Sequence, residues 1–139
     1  MRIVADTNVV VAGFLWDGNE RRLMDAARDG IVELFVSPAL LDEFEDVISR
    51  PKFASRLAVK DVSRQFLVEA YAALATVVKA HPLDTSTSRD IDDDQVLACA
   101  VAGSCEIIVT GDDDLLILEE YSGIRIVRTS GLLAELNLV

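Results

Sequence analysis

With 139 residues the chain has room for one domain and not for two ordinary ones, and its 51% apolar content supplies a core without disulfide staples. It carries 13 Lys plus Arg against 24 Asp plus Glu, a formal net charge of −11, which argues against a protein that grips nucleic acid by basic side chains alone. Excess acid can simply keep a surface soluble, but it is also compatible with action on phosphodiesters through bound cations.

The chain opens with Met1-Arg2-Ile3-Val4, which runs straight into a short buried strand, Ile3-Val4-Ala5, ending at Asp6. This is not the pattern of a secretory signal. Val9-Val10-Val11 follows in a turn or early helix. Arg21 to Arg28 reads as a helix closed by Asp29-Gly30, and Ile31 to Val36, rich in β-branched and aromatic residues, as a second strand. Ser37-Pro38 is an N-cap followed by proline at the first helical position. The helix it starts carries Leu40, Leu41, Phe44, Val47 and Ile48 as an apolar stripe and stops near Arg50-Pro51. A long helical pattern covers Asp61 to Leu74, Thr76-Val77-Val78 reads as a short third strand, and His81 to Arg89 as a polar loop. A further helix starts around Asp92 to Asp94 and runs to Gly103, Ile107-Ile108-Val109 is a fourth strand, Ile124 to Val127 a fifth, and Ser130 to Leu136 a last helix. Strands alternating with helices predict a parallel sheet with helices on both faces. No apolar run approaches the roughly 20 residues needed to span a bilayer. Cys99 and Cys105 lack partners at metal-binding spacing and read as reduced core residues. The expectation is one soluble, cytoplasmic domain over residues 1–139.

Acidic residues fall where such a sheet builds sites. Asp6 lies at the carboxyl end of the first strand and Asp112, in Thr110-Gly111-Asp112-Asp113-Asp114, at the carboxyl end of the fourth. Open parallel sheets bind ligands outside those ends, where the strand order reverses. Glu43 lies in the second turn of the helix after strand two, and Asp92, Asp93 and Asp94 start the helix before strand four. Hard cations such as Mg²⁺ and Mn²⁺ take oxygen ligands and can activate water and neutralise phosphate in an in-line displacement. Crowded carboxylates without a metal would repel, and some would take up protons. Singly, each acid has an ordinary explanation: helix-dipole partners at Asp93 and Asp94, a turn or N-cap at Asp112 to Asp114, surface spacing at Glu43. Jointly they point to a divalent-metal site.

Other chemistries are poorly supplied. His81 is the only histidine and reads as a solvated loop residue, which argues against a Ser-His-Asp hydrolase and a structural zinc site. Gly103 and Gly111 are isolated, so no phosphate-cradling loop is present. Phe14-Leu15-Trp16 reads as local core packing or a partner surface. Two other readings of the acids stay open: a phosphatase with Asp6 as nucleophile, against which Asn8 stands where a second Asp is wanted, and a non-catalytic binding module.

Taken in order, Asp6-Thr7-Asn8-Val9, Ser37-Pro38-Ala39-Leu40-Leu41-Asp42-Glu43, Asp92-Asp93-Asp94-Gln95-Val96-Leu97-Ala98-Cys99-Ala100 and Thr110-Gly111-Asp112-Asp113-Asp114-Leu115 resemble the PIN-domain family, and within it the PIN-type (VapC-like) toxins of prokaryotic toxin–antitoxin modules. The resemblance covers nearly the whole chain. It implies a three-layer α/β/α sandwich around a five-stranded parallel sheet in the order 3-2-1-4-5, and Mg²⁺- or Mn²⁺-dependent ribonuclease activity. Carried over, it makes Asp6, Glu43, Asp94 and Asp112 catalytic, with Asp6, Asp94 and Asp112 as metal ligands. The register of the helix-start acid is set by its distance to Ala98. Asn8 is expected to support the site by hydrogen bonding, Thr110 to order the loop, and Asp93 and Asp114 to help. Arg21, Arg22, Arg50, Lys52 and Arg56 are candidates to guide an RNA backbone. The resemblance further implies an RNA substrate, a cognate antitoxin protein, a homodimer and no membrane.

Overall fold

The computed structural model describes residues 1–83 and 91–138. β1 (Arg2–Ala5) and α1 (Thr7–Leu15) open the chain, followed by α2 (Asn19–Arg28) and β2 (Glu33–Val36). Next come α3 (Pro38–Ile48), a 3₁₀ turn at Pro51–Phe53, α4 (Ala54–Lys60), α5 (Arg64–Leu74) and β3 (Thr76–Val77). The later part holds α6 (Ile91–Ala102), β4 (Ile107–Val109), α7 (Asp113–Leu116), β5 (Glu120–Tyr121), β6 (Ile124–Val127) and α8 (Thr129–Glu135). The expected loop at His81 to Arg89 lies outside the described residues from position 84 onward.

The strands form one sheet in the order β3-β2-β1-β4-β6-β5, parallel except for the β5–β6 pair, with helices on both faces. The central strands are apolar on both sides, as a doubly covered parallel sheet requires: Ile3, Val4 and Ala5 of β1 and Ile107, Ile108 and Val109 of β4 are all buried. Without its edge hairpin the order matches the five-stranded arrangement implied by the resemblance. The additional strand β5 is a correction to that expectation. It is folded back on β6 by Ser122 and Gly123, with φ of 50° and 81°, the two positive values that a tight hairpin turn demands.

Local signals account for the helices. Ser37 caps α3, its Oγ accepting from the Leu40 N–H at 3.3 Å, and Ser63 caps α5, accepting from the Phe66 N–H at 3.0 Å. The helix expected from Asp61 therefore begins at Arg64. Asp61 instead closes α4 in the left-handed conformation, φ 54°; α4 has no buried residue and so shows no apolar stripe to announce it. Val9, Val10 and Val11 lie in α1 and are buried. Cys99 and Cys105 are free and buried, and burial pushes both thiols up to about 12. Among the described residues no helix is long and apolar enough to cross a membrane.

The crossing of α1 and α2 bears on the site. A Cβ at Gly13 would lie 2.5 Å from the Met24 side chain and 2.8 Å from the Glu20 carbonyl oxygen, so only glycine lets the two helices approach this closely. Gly13→Ala is expected to cost about 1–3 kcal/mol by overpacking, read as a lowered midpoint in urea unfolding at unchanged slope.

Candidate metal centre

The strand order reverses between β1 and β4: the chain runs outward from β1 through β2 to β3, then returns to β4 on the other side of β1. Carboxyl ends of adjacent parallel strands open a crevice at such a point. The register pairs Ala5 with Val109, so Asp6 and Thr110 leave the sheet side by side, and the Asp6 N–H still donates to the Val109 carbonyl at 2.9 Å. Buried Thr110 ties the two ends together. Its hydroxyl donates to Asp6 Oδ2 at 2.9 Å and accepts from the Asp112 N–H at 3.0 Å. Asp112 in turn caps α7, its Oδ1 accepting from the Asp114 N–H at 2.9 Å.

The third acid comes from α6. Asp93, Val96, Leu97 and Ala100 are all buried, at i, i+3, i+4 and i+7, so one core-facing stripe carries Asp93 to the sheet edge. Carboxylate oxygens of Asp6, Asp93 and Asp112 lie within 4.8 Å of one another. Asp94, expected as the third ligand, is not one of these three, and Asp93, expected as a helper, is. Successive helical residues are about 100° apart, so half-buried Asp94 is turned off the stripe of Asp93 and lies on the side of exposed Val101, seven residues on. The side chain of Asp92 lies outside the described residues.

The other expected residues sit around this group. Half-buried Glu43, on α3, stands outside the three but shares a neighbour with Asp6. The hydroxyl of buried Tyr71 is pushed above the usual tyrosine range, first by burial and then by Cys99, Asp6 and Glu43. Asp114 contributes its backbone N–H to Asp112. Asn8, at the second position of α1, is exposed, and its side chain makes no hydrogen bond among the described residues; it lines the same cleft as Asp6. That cleft, about 310 Å³, is lined by Asp6, Asn8, Val9, Glu20, Gly111 and Asp112.

Two of these neighbours escaped the sequence reading. Glu20 reaches the cleft because Gly13 allows α2 to lie against α1, a contact no local pattern reports. Tyr71 shares the buried face of α5 with Leu67, four residues before it, and that spacing was legible.

The donor set suits a hard divalent cation. Ligand oxygens around one ion at about 2.1 Å are at most about 4.2 Å apart, so small side-chain rotations bring the three oxygens into a common shell. Three carboxylates so placed repel one another strongly unless a cation or protons compensate them. Thr110 fits the same reading, since an outer hydrogen-bond donor orients a ligating carboxylate. Thr110→Val, which keeps the shape and removes the hydroxyl, is expected to weaken Mn²⁺ binding about 10- to 100-fold by titration calorimetry.

Residues 2–114 match the family model described as PIN domain. No curated protein sequence matches significantly. Among solved structures, a chain in the crystal structure of VapBC2 from Rickettsia felis bound to a DNA fragment from their promoter is similar in fold, with a TM-score of 0.58 at 12% identity over 91% of this chain and 97% of that one. With the family model matching residues 2–114, most of its length, the chain belongs to the PIN-domain family.

Proposed function

We propose that the chain is a single PIN domain acting as a divalent-metal-dependent endoribonuclease, the toxin of a toxin–antitoxin pair. The observation that carries the nuclease reading is the meeting of Asp6, Asp93 and Asp112, from three distant segments, within 4.8 Å at the switch point of the sheet. Asp6, Asp93 and Asp112 would hold Mg²⁺ or Mn²⁺, with Glu43 and Glu20 at the rim. Such a cation, when bound, neutralises phosphate charge and makes water a better nucleophile.

The chain's own residues do the positioning. Thr110 aims the Asp6 carboxylate through its hydroxyl and fixes the Gly111-Asp112 backbone through its oxygen lone pair. Asp112 is pinned by capping α7, so that two of the three carboxylates are held before any ligand arrives, which reduces the ordering cost on binding. The open cleft mouth at Asn8 and Gly111 suits an extended phosphodiester better than a small enclosed substrate. A phosphatase using Asp6 as nucleophile gains no support, because the expected place of a second acid is held by Asn8, which has no carboxylate.

The toxin reading rests on the resemblance and on the fold shared with the VapBC2 chain; it carries with it a cytoplasmic setting, an antitoxin partner and a homodimer. The test is cleavage of single-stranded RNA by the purified chain with Mg²⁺ or Mn²⁺. Cleavage that stops with EDTA and resumes on adding excess Mn²⁺ supports the reading; cleavage indifferent to EDTA contradicts it.

A further inference from the structure

Five of the 13 cations of this acidic chain fall within residues 50–64, where Asp61 is the only acid. Four of these five lack an ion pair, as do Arg22 and Lys79 elsewhere among the described residues. Among the described residues, Arg2, Arg21, Arg28, Arg50, Arg125 and Arg128 stand in ion pairs, whereas no carboxylate lies within ion-pair distance of Lys52, Arg56, Lys60 or Arg64. Lys52, Arg56 and Lys60 recur every four residues along the 3₁₀ turn and α4, so they share one side. On an otherwise anionic protein, cations left without partners form a local attractive field for an anion.

Aromatic rings are interleaved with these cations. Trp16 is 40% exposed although Leu15 beside it is fully buried, so the Phe14-Leu15-Trp16 run divides between core and surface. The Arg56 guanidinium lies 5.3 Å from the centroid of the Trp16 ring, and the Lys52 ammonium 5.1 Å from that of Phe53. The two rings meet edge to face at 6.1 Å. Arg56 is itself anchored, its Nε–H donating to the Leu15 carbonyl at 2.6 Å. Trp16 is the exposed ring and Phe53 a half-buried one beside it; cations alternating with accessible rings bind single-stranded nucleic acid, with phosphates on the cations and bases stacked on the rings. The patch lies at the carboxyl end of α1, and Asp6 immediately precedes its amino end. Nine residues of helix separate them, about 13 Å, within reach of one extended strand.

We propose that Trp16, Phe53, Lys52, Arg56 and Lys60 form a docking surface for single-stranded RNA, holding the strand that flanks the phosphate in the acidic cleft. This rests on the ribonuclease reading and adds to it where the substrate lies. The surface supplies the positive charge that the acidic cleft lacks and selects single strands, since a duplex hides the faces of its bases.

The sequence holds one tryptophan, so intrinsic fluorescence reports Trp16 alone. The experiment titrates the Asp6→Asn chain with a 12-nucleotide oligouridylate at several salt concentrations. Saturable quenching is expected. Lys52→Gln/Lys60→Gln in the same background should weaken binding about tenfold and flatten the plot of log affinity against log salt by about 1.4. Arg56 is left in place because it holds the Leu15 carbonyl. Lys79→Gln, which removes an exposed cation elsewhere, should change affinity by less than about twofold. Absence of quenching, or equal weakening by Lys79→Gln, overturns the proposal. So does equal quenching by duplex RNA or by poly-glutamate, which would mark a general polyanion or acidic-protein surface. The two readings fail separately: metal-dependent cleavage by the wild-type chain with unresponsive Trp16 sinks the docking surface alone, and quenching without cleavage sinks the nuclease alone.

Discussion

Asp6→Asn is expected to lower metal-dependent RNA cleavage by about 10²-fold or more while leaving the fold intact. The size follows from the position. Asp6 is buried, is one of the three grouped carboxylates, and is the only one held by the Thr110 hydroxyl. Asparagine keeps the shape and can still accept that hydrogen bond, but it removes one negative charge from a low-dielectric pocket, where charge stabilisation of a reacting phosphate counts most. Thermal unfolding supplies a check independent of activity. Without metal the variant should be as stable as the wild type or more so, because mutual repulsion falls. With Mn²⁺ at about 100 times its dissociation constant the wild type should gain about 2.7 kcal/mol, and the variant much less. Equal metal stabilisation of both proteins would remove Asp6 from the site.

The second large effect separates neighbours on α6. Asp93→Asn is expected to reduce cleavage about 10²-fold or more, and Asp94→Asn by less than about fivefold, measured as kcat/KM on one RNA under saturating Mn²⁺. The contrast comes from helix geometry. Asp93 begins the stripe that continues through Val96, Leu97 and Ala100 into the core, whereas half-buried Asp94 sits one helical step, about 100°, off that stripe. A larger loss at Asp94 than at Asp93 would mean that α6 sits in a different rotation when substrate is bound.

That same pair shows what was legible in the sequence and what was not. Strand ends bearing Asp6 and Asp112 were readable because fully buried parallel strands are short continuous apolar runs with sharp ends. Ser37-Pro38 announced α3 for an equally local reason, a cap and a preset φ. The sheet order came only with the family resemblance, since periodicity places strands along the chain and not beside one another. The sequence reading favoured Asp94 and the grouping favours Asp93, because three consecutive acids look alike until the helix phase is taken from the buried residues behind them. Glu20 reaches the cleft only through the tight α1–α2 crossing at Gly13, a contact between helices that leaves no periodic trace. β5 has two residues and no apolar run, so only its Ser122-Gly123 turn could have revealed it.

The basic and aromatic patch at α4 changes the meaning of the net charge. An overall value of −11 argues against nucleic-acid binding when charge is averaged over the chain. Affinity for a polyanion depends on the local field and on counterions released at the contact. The unpaired cations on one side of α4 and the acids at the sheet edge would then divide the work, the first attracting the backbone and the second holding a cation near the phosphate to be cut.

The central claim is that Asp6, Asp93 and Asp112 share a divalent cation. A crystal structure of the chain grown with Mn²⁺, with the ion located by its anomalous scattering, tests it most directly. The expected result is a peak about 2.1–2.2 Å from carboxylate oxygens of all three residues, with Asp94 outside its coordination shell. A peak held by Asp94 instead of Asp93, or bound Mn²⁺ only at other surface acids, would contradict it.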